Sequence, residues 1–198
     1  MADHGNTGAA TGDDIRAGYA PLGKDDWPED IADMHAGFAG ALNVYRSIAH
    51  HPALVRAMAD LREHVVIRTA LGPELSEVVI LRAGHRLGSV YEVTHHIDRA
   101  RRLGMVDARI ESVLGDPAPL SDTDAAIVAA VDELFDAHEL STDSIADLTA
   151  RIGKHGVLDL IATVGYYSIL GFVLKSFSVP LDPAVQDRVA ATPLRSSQ

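Results

Sequence analysis

Four side chains that can move protons or bind anions recur at helical spacing between residues 89 and 99: Ser89, Glu92, His96 and Arg99. Steps of three and four residues place them on one face of a helix. An apolar stripe for core packing runs beside this face and comprises Val93, Ile97 and Ala100. A carboxylate and an imidazole four residues apart form a candidate proton-transfer pair. The pattern therefore predicts general acid–base chemistry on this helix.

A second carboxylate, Glu77, opens the preceding apolar run, and Gly88 separates the two runs. We expect the glycine break to turn the chain so that the two acids meet around one imidazole. A solvated helix face with an ordinary i,i+4 Glu92–His96 pair fits the same spacing. Spacing alone leaves both interpretations open.

The composition of the 198-residue chain excludes several chemistries. It has no cysteine, which rules out disulfides, thiolate metal sites and a peroxidatic thiol. The formal net charge of −11 argues against a nucleic-acid-binding surface, which requires a basic field. We expect no nucleic-acid partner.

Hydrophobic periodicity predicts an all-α fold of about eight helices, since no stretch alternates with period two. The predicted helices run from Pro28 to about residue 48, then over about 52–70, 73–86, 89–103, 107–114, 121–135, 141–152 and 154–177. The inward residues expected in the second helix are Leu54, Met58, Leu61 and Val65. We predict a disordered tail over residues 1–18, one domain over 19–182 and a C-terminal tail over 183–198.

The longest uncharged run, Leu160–Leu174, is shorter than the roughly 20 residues that span a bilayer. The first residues show neither a basic region nor an apolar run of a signal peptide. We therefore expect a cytoplasmic protein without a membrane partner.

The segment LSEVVILRAGHRLGSVYEVTHHIDRARRLGM resembles the signature of the carboxymuconolactone decarboxylase family, also called the alkylhydroperoxidase D-like family. The positions that carry the resemblance are Glu77, Tyr91-Glu92, His96, Ala100 and Gly104. The flanking His51-Pro52 and GYYSILGFVLKSFSVPL are similar to other parts of the family, so the resemblance covers roughly residues 30–182. It implies an all-helical bundle that assembles as a homotrimer or a homohexamer.

The peroxidase branch of this family carries a C-x-x-C pair followed after three residues by the His, and Ser89 and Glu92 occupy the cysteine positions here. The chain is more similar to the cysteine-free decarboxylase branch, which implies a lyase of aromatic degradation that works without a cofactor on a small carboxylated lactone or related organic acid. As a hypothesis, the catalytic residues are Glu77, Glu92 and His96: His96 would move a proton to or from the substrate carbon, and the two acids would orient the imidazole and hold its charge or serve as second acid–base groups. The substrate-binding candidates are Ser89, Tyr91, Arg82, Arg99 and Tyr167: an arginine would pair with a carboxylate, and a tyrosine would donate to a developing enolate.

Two alternatives stay open. A catalytically silent helical oligomer would bind a small molecule on the same face. A metal-dependent enzyme would use Glu77, Glu92 and His96, and Glu92-x-x-His95 matches half of a di-iron signature. No second half is present, so we expect no metal.

Overall fold

The computed structural model of the protein describes residues 11–115 and 119–194, and every regular element in these ranges is a helix. A 3-10 helix, Glu29–Met34, lies between α1 and α2. The α-helices are α1 Gly12–Ala17, α2 Phe38–Ala41, α3 Asn43–Ile48, α4 Pro52–Ile67, α5 Gly72–Leu87, α6 Val90–Arg102, α7 Asp107–Val113, α8 Asp122–Asp136, α9 Thr142–Ser176 and α10 Pro183–Ala190. The all-α class is therefore confirmed.

Helix α5 lies at the centre of the bundle and packs against α6, α8 and α9. Two apolar clusters flank it. One joins α5 to α7, α8 and the first half of α9, with Leu81, Ile110, Ile127, Leu148 and Leu160 among its fully buried members. The other joins α3 and α4 to the second half of α9 around Tyr45, Val55, Ile80 and Tyr166.

The single helix predicted from Pro28 to residue 48 is wrong, because the chain forms three short helices there. Leu42 adopts an extended conformation, with φ −120° and ψ 132°, between α2 and α3. At Gly40, a Cβ atom would lie 2.0 Å from the carbonyl oxygen of His35, so the local bend requires glycine. The apolar residues Ile31 and Tyr45 are still buried, although separate turns deliver them.

The stripe predicted for α4 is displaced on the helix surface. Leu54 and Leu61 are exposed, and the buried residues of this helix are Val55, Met58, Val65 and Val66. The register is set by packing against α3, α5 and α9, which periodicity in one helix does not determine.

Helix α9 contains the break expected between residues 152 and 154. Gly153 has φ 71° and ψ 169°, and helical structure continues on both sides. By length and composition, α9 is the one helix in the described residues that is apolar enough to cross a membrane. More than half of its most apolar window, 56%, is buried inside the protein, as in the core helix of a bundle.

Residues assigned to tails include ordered structure. The described part of the C-terminal segment forms α10, which packs on α6 and buries Val185, and Leu194 is also buried. Arg188 secures α10 by donating two hydrogen bonds of 2.9 Å to Asp98 on α6. At the other end, Thr11 caps the short, exposed helix α1 within the predicted N-terminal tail. Residues 1–10, 116–118 and 195–198 lie outside the described residues.

Candidate active site

The junction between α5 and α6 positions the candidate catalytic residues. Gly88 ends α5 in the left-handed region, with φ 60° and ψ 36°, which confirms the break read from the sequence. Ser89 then caps α6, since its hydroxyl accepts a hydrogen bond of 3.4 Å from the backbone N–H of Glu92. At Gly84 an added Cβ would lie 3.1 Å from the Cβ of Glu92. Gly84 therefore allows α6 to approach α5 closely at Glu92.

His96 lies between two acids. Its Nδ1 is 2.6 Å from Oε2 of Glu77, and its Nε2 is 3.5 Å from Oε2 of Glu92. Glu77 is fully buried, and Arg99 Nε lies 2.8 Å from its other oxygen, Oε1, as an ion pair. Arg99 also donates to the carbonyl oxygen of Val66 at 3.1 Å. The positive charge of Arg99 thus offsets the negative charge of Glu77 on the side away from His96.

Glu92 is buried, with 3% of its surface exposed, and its Oε1 has no hydrogen-bond partner within the described residues. Burial, followed by the negative charge of Glu77, raises the pKa of Glu92 to about 8. The side chain is therefore mainly a neutral carboxylic acid at neutral pH, because removal from water disfavours the charged form. A neutral acid with a free oxygen is equipped to donate a proton.

The two acids define the proton positions on His96. An ionised Glu77 accepts a hydrogen bond only if Nδ1 carries the hydrogen. Neutral imidazole then presents the lone pair of Nε2 to the acid group of Glu92. These three side chains therefore form a relay in which Glu92 can exchange a proton with Nε2 of His96, while Nδ1 stays bonded to Glu77.

A cavity of about 250 Å³ adjoins the outer end of this relay. Glu92 and His96 contribute to its wall, and the ring of Tyr167 meets the His96 ring edge to face, with centroids 5.0 Å apart and planes at 84°. Its apolar and aromatic lining comprises Leu42, Val44, Tyr45, Val66, Tyr91, Tyr167, Leu170 and Val185. The helix α10 supplies Val185 and Arg188, so the C-terminal segment helps to enclose the site.

The structure brings five of the predicted site residues to this cavity: Tyr91, Glu92, His96, Arg99 and Tyr167. Glu77 lies behind His96 and reaches the cavity only through the imidazole. The other two candidates lie elsewhere, and both have structural partners.

Arg82 donates to Asp132 through Nε at 2.7 Å and Nη2 at 2.6 Å, which ties α5 to α8. Ser89 is occupied by its capping bond and lines a separate surface pocket near Lys175. Neither side chain lines the cavity, because each points from its helix toward a different neighbour.

Tyr91 lines the cavity, but its hydroxyl donates a short hydrogen bond to Asp182 and accepts one of 3.4 Å from the N–H of Val44. Its ring stacks on His95, with centroids 4.1 Å apart, and His95 Nε2 lies 3.2 Å from Asp182. Burial, with the bond to Asp182, raises the Tyr91 pKa well above its usual range. Tyr91 therefore joins the C-terminal segment to α6.

Four charged cavity residues were not predicted from the sequence: Arg62, Asp98, Arg102 and Arg188. A signal existed for Arg62, which lies four residues from both Met58 and Val66 and hence on the buried stripe of α4. A cation on an apolar stripe requires a partner or a ligand. Arg188 had no comparable signal, because it reaches Asp98 across 90 residues of chain.

No group of three or more His, Asp or Glu side chains arranged to hold a metal ion occurs in the described ranges. His95, the second residue of the Glu-x-x-His pattern, faces Asp182. Its geometry gives no support to the di-iron interpretation.

The fold and the relay together define an all-helical protein with a buried acid–imidazole–acid array beside a small cavity. The family model described as carboxymuconolactone decarboxylase matches residues 52–134, which contain Glu77, Glu92 and His96. This central region is therefore similar to the carboxymuconolactone decarboxylase family, in agreement with the resemblance found in the sequence.

A solved structure shares the fold. It is a cysteine-to-alanine variant of the debrominase Bmp8 in complex with 2,3,4-tribromopyrrole, with a TM-score of 0.71 and 13% sequence identity over 87% of this chain and 96% of that one. At this identity the likeness concerns the fold alone. No curated protein matches the sequence.

Proposed function

We propose that the protein is a cofactor-free lyase of the carboxymuconolactone decarboxylase type, which decarboxylates or isomerises a small carboxylated lactone or enolisable acid. The observation that carries the proposal is the neutral Glu92 in the wall of the cavity: its Oε1 has no hydrogen-bond partner in the described residues, and its Oε2 faces His96, which is bonded to Glu77. A solvated helix face is a poor description of these residues, since both acids are almost fully buried.

In decarboxylation, the bond between the substrate carbon and its carboxylate breaks, carbon dioxide leaves, and the electron pair is delocalised as an enolate. Glu92 donates its proton to the carbon and becomes a carboxylate. Nε2 of His96 then takes up a proton from solvent and passes it to Glu92, which restores the acid, while Glu77 holds Nδ1 and stabilises the transient imidazolium. Isomerisation uses the same groups, with a proton removed at one carbon and delivered at another.

This scheme gives Glu92 a larger part than the sequence suggested, where His96 was the group expected to contact the substrate. The basis is geometric: Glu92 lines the cavity and its Oε1 has no hydrogen-bond partner in the described residues, whereas Nδ1 of His96 is taken by Glu77. Arg99 stays in the proposed site, but it is partly committed to Glu77 and Val66.

The test is the rate of carbon dioxide release or double-bond migration across a panel of small lactone and enol acids. Glu92→Gln, His96→Ala and Glu77→Gln should each lower the rate by about a hundredfold or more, the usual contribution of a positioned acid or base. Glu63→Gln, in an exposed carboxylate of α4, is the control and should retain the full rate. Near-normal turnover in all three site variants would refute the mechanism.

The proposal includes self-association as a homotrimer or homohexamer and a cytoplasmic location. Support for self-association comes from large apolar side chains on the exposed side of α9, namely Leu158, Ile161, Ile169 and Phe172. Their exposure leaves an apolar helix face that a single chain does not cover. Light scattering after size exclusion should give a mass of three or six chains, and a monomer would contradict this part of the proposal.

A further inference from the structure

We propose that Arg62 binds the carboxylate of the substrate and thereby makes the cavity selective for organic anions over neutral molecules of the same shape. This inference rests on the proposed function, because it assigns the substrate-binding charge of the same site. Arg62 lies on α4, outside the α5–α6 segment that carries the relay.

Four arginines line the cavity: Arg62, Arg99, Arg102 and Arg188. Arg188 makes two bonds of 2.9 Å to Asp98, and Arg102 lies 3.1 Å from the same carboxylate. Arg99 is paired with Glu77. Three of the four guanidinium groups are therefore paired with acids of the protein, with Arg102 and Arg188 sharing Asp98.

Arg62 differs from the other three. Within the described part of the chain it makes no hydrogen bond, and its nearest acid is its neighbour Glu63 at 4.0 Å, whose side chain is 45% exposed. Such a long, solvated contact contributes little. The Arg62 side chain itself is only 19% exposed and lines the cavity, and its donors have no hydrogen-bond acceptor among the described residues.

The position of the guanidinium is fixed by Phe38. The Cζ atom of Arg62 lies 4.3 Å from the centre of the Phe38 ring, a cation–π contact that leaves the edge of the guanidinium plane free. That edge carries paired N–H donors that match the two oxygens of a carboxylate. Phe38 thus orients Arg62 without consuming its hydrogen-bonding capacity.

The charge of Arg62 reaches the interior of the site. Burial raises the pKa of Tyr166 to about 12, and the positive charge of Arg62 acts in the opposite direction on the same phenol. Tyr166 in turn is hydrogen-bonded to Tyr45, a cavity residue, with 2.9 Å between their hydroxyl oxygens. A substrate carboxylate bound to Arg62 would therefore lie in the same cavity as the proposed proton donor, the neutral acid Glu92.

Isothermal titration calorimetry tests the inference with matched pairs: 5-oxotetrahydrofuran-2-carboxylate and its primary amide, and benzoate and benzamide. We expect the wild type to bind the carboxylate of a pair about ten- to a hundredfold more tightly, as for a charge-assisted hydrogen-bonded pair. In Arg62→Gln the ratio of carboxylate affinity to amide affinity should fall to about one, and the affinity for the amide should change less than about threefold. Arg62→Lys should show an intermediate carboxylate preference, because lysine keeps the positive charge but lacks the paired N–H donors of the guanidinium.

Arg68→Gln is the control, since Arg68 is an exposed arginine at the end of the same helix and does not line the cavity. It should keep the wild-type preference, and circular dichroism should confirm that all variants are folded. The inference is overturned if the wild type shows no carboxylate preference in either pair, or if Arg62→Gln retains it.

Glu92→Gln separates this inference from the proposed function. It should retain the carboxylate preference, because the neutral amide replaces a neutral acid, while turnover is lost. A preference that depends on Arg62, together with unchanged turnover in Glu92→Gln, would refute the acid–base mechanism and leave the anion site standing. If Glu92→Gln abolishes turnover but Arg62→Gln keeps the carboxylate preference, the role of Arg62 is refuted and the acid–base mechanism stands.

Discussion

Replacing Glu92 with glutamine should make the protein more stable in alkali. Burial and the charge of Glu77 raise the Glu92 pKa from 4.5 to about 8. Between these values the folded protein retains a proton that the unfolded chain releases, so the free energy of unfolding falls as pH rises through this window. At about 1.4 kcal/mol per pH unit, the loss is about 3 kcal/mol at pH 7 and about 5 kcal/mol once Glu92 is fully ionised.

Glutamine resembles the neutral acid in shape and does not ionise. We therefore expect Glu92→Gln to match the wild type near pH 5 and to exceed it by an amount on the order of 3 to 5 kcal/mol near pH 9. The measurement is urea unfolding at several pH values and a fixed protein concentration, because self-association would make stability depend on concentration.

Glu63→Gln is the matched control, since this carboxylate is on the protein surface and its replacement should change stability by less than about 0.5 kcal/mol at every pH. Parallel stability curves for the wild type and Glu92→Gln would refute the reasoning. They would mean that Glu92 is solvated or paired in the folded protein, and the proposed proton donor would be an ordinary surface carboxylate.

Two further predictions concern the scaffold. Gly84→Ala should destabilise the protein by about 1 kcal/mol and lower turnover, because the added Cβ would lie 3.1 Å from that of Glu92. This steric cost should outweigh the higher helix propensity of alanine. Unfolding and rate measurements test the prediction, and a stabilised, fully active variant would contradict it. Asp159→Asn should cost about 1 to 3 kcal/mol at pH 7, since Asp159 accepts bonds from the Ala70 N–H at 2.6 Å and from Thr69 and His64. Burial opposes ionisation of Asp159, but these hydrogen bonds outweigh burial and lower the pKa of Asp159 below 3.8. The stabilising contribution of the ionised carboxylate is therefore present above pH 3.8 and is lost as the pH falls through the pKa of Asp159 in the folded protein. Acid unfolding should therefore show the two proteins converging, and a constant gap would contradict the account.

Local chemistry explains why much of the bundle was predictable. Gly88 and Ser89 act through bonds within a few residues of themselves, so the break between α5 and α6 follows from the chain alone. The helices that bury a regular apolar stripe were found for the same reason. The short helices of residues 28–48 were not predicted, because the bend at Gly40 depends on a close backbone approach to His35 that hydrophobic periodicity does not indicate.

The candidate site likewise combines features that follow from the sequence with features that depend on how the helices pack. Glu92 and His96 share a helix, so their proximity follows from spacing. Arg82 and Arg99 look alike in the sequence, as two cations near the motif, yet one faces Asp132 on α8 and the other faces Glu77. Which neighbour each arginine meets depends on how α8 and α6 dock on α5.

By itself the sequence determined the all-helical class, the absence of thiol chemistry and the helix face that carries Glu92 and His96, because residue type and helical period fix these directly. Only the tertiary structure decided that Glu77 meets His96, that Glu92 is buried enough to keep its proton, and that Arg62 lines the cavity with no acid of the described residues closer than Glu63 at 4.0 Å. These properties depend on which surfaces are removed from water. That is settled by packing between helices far apart in the chain.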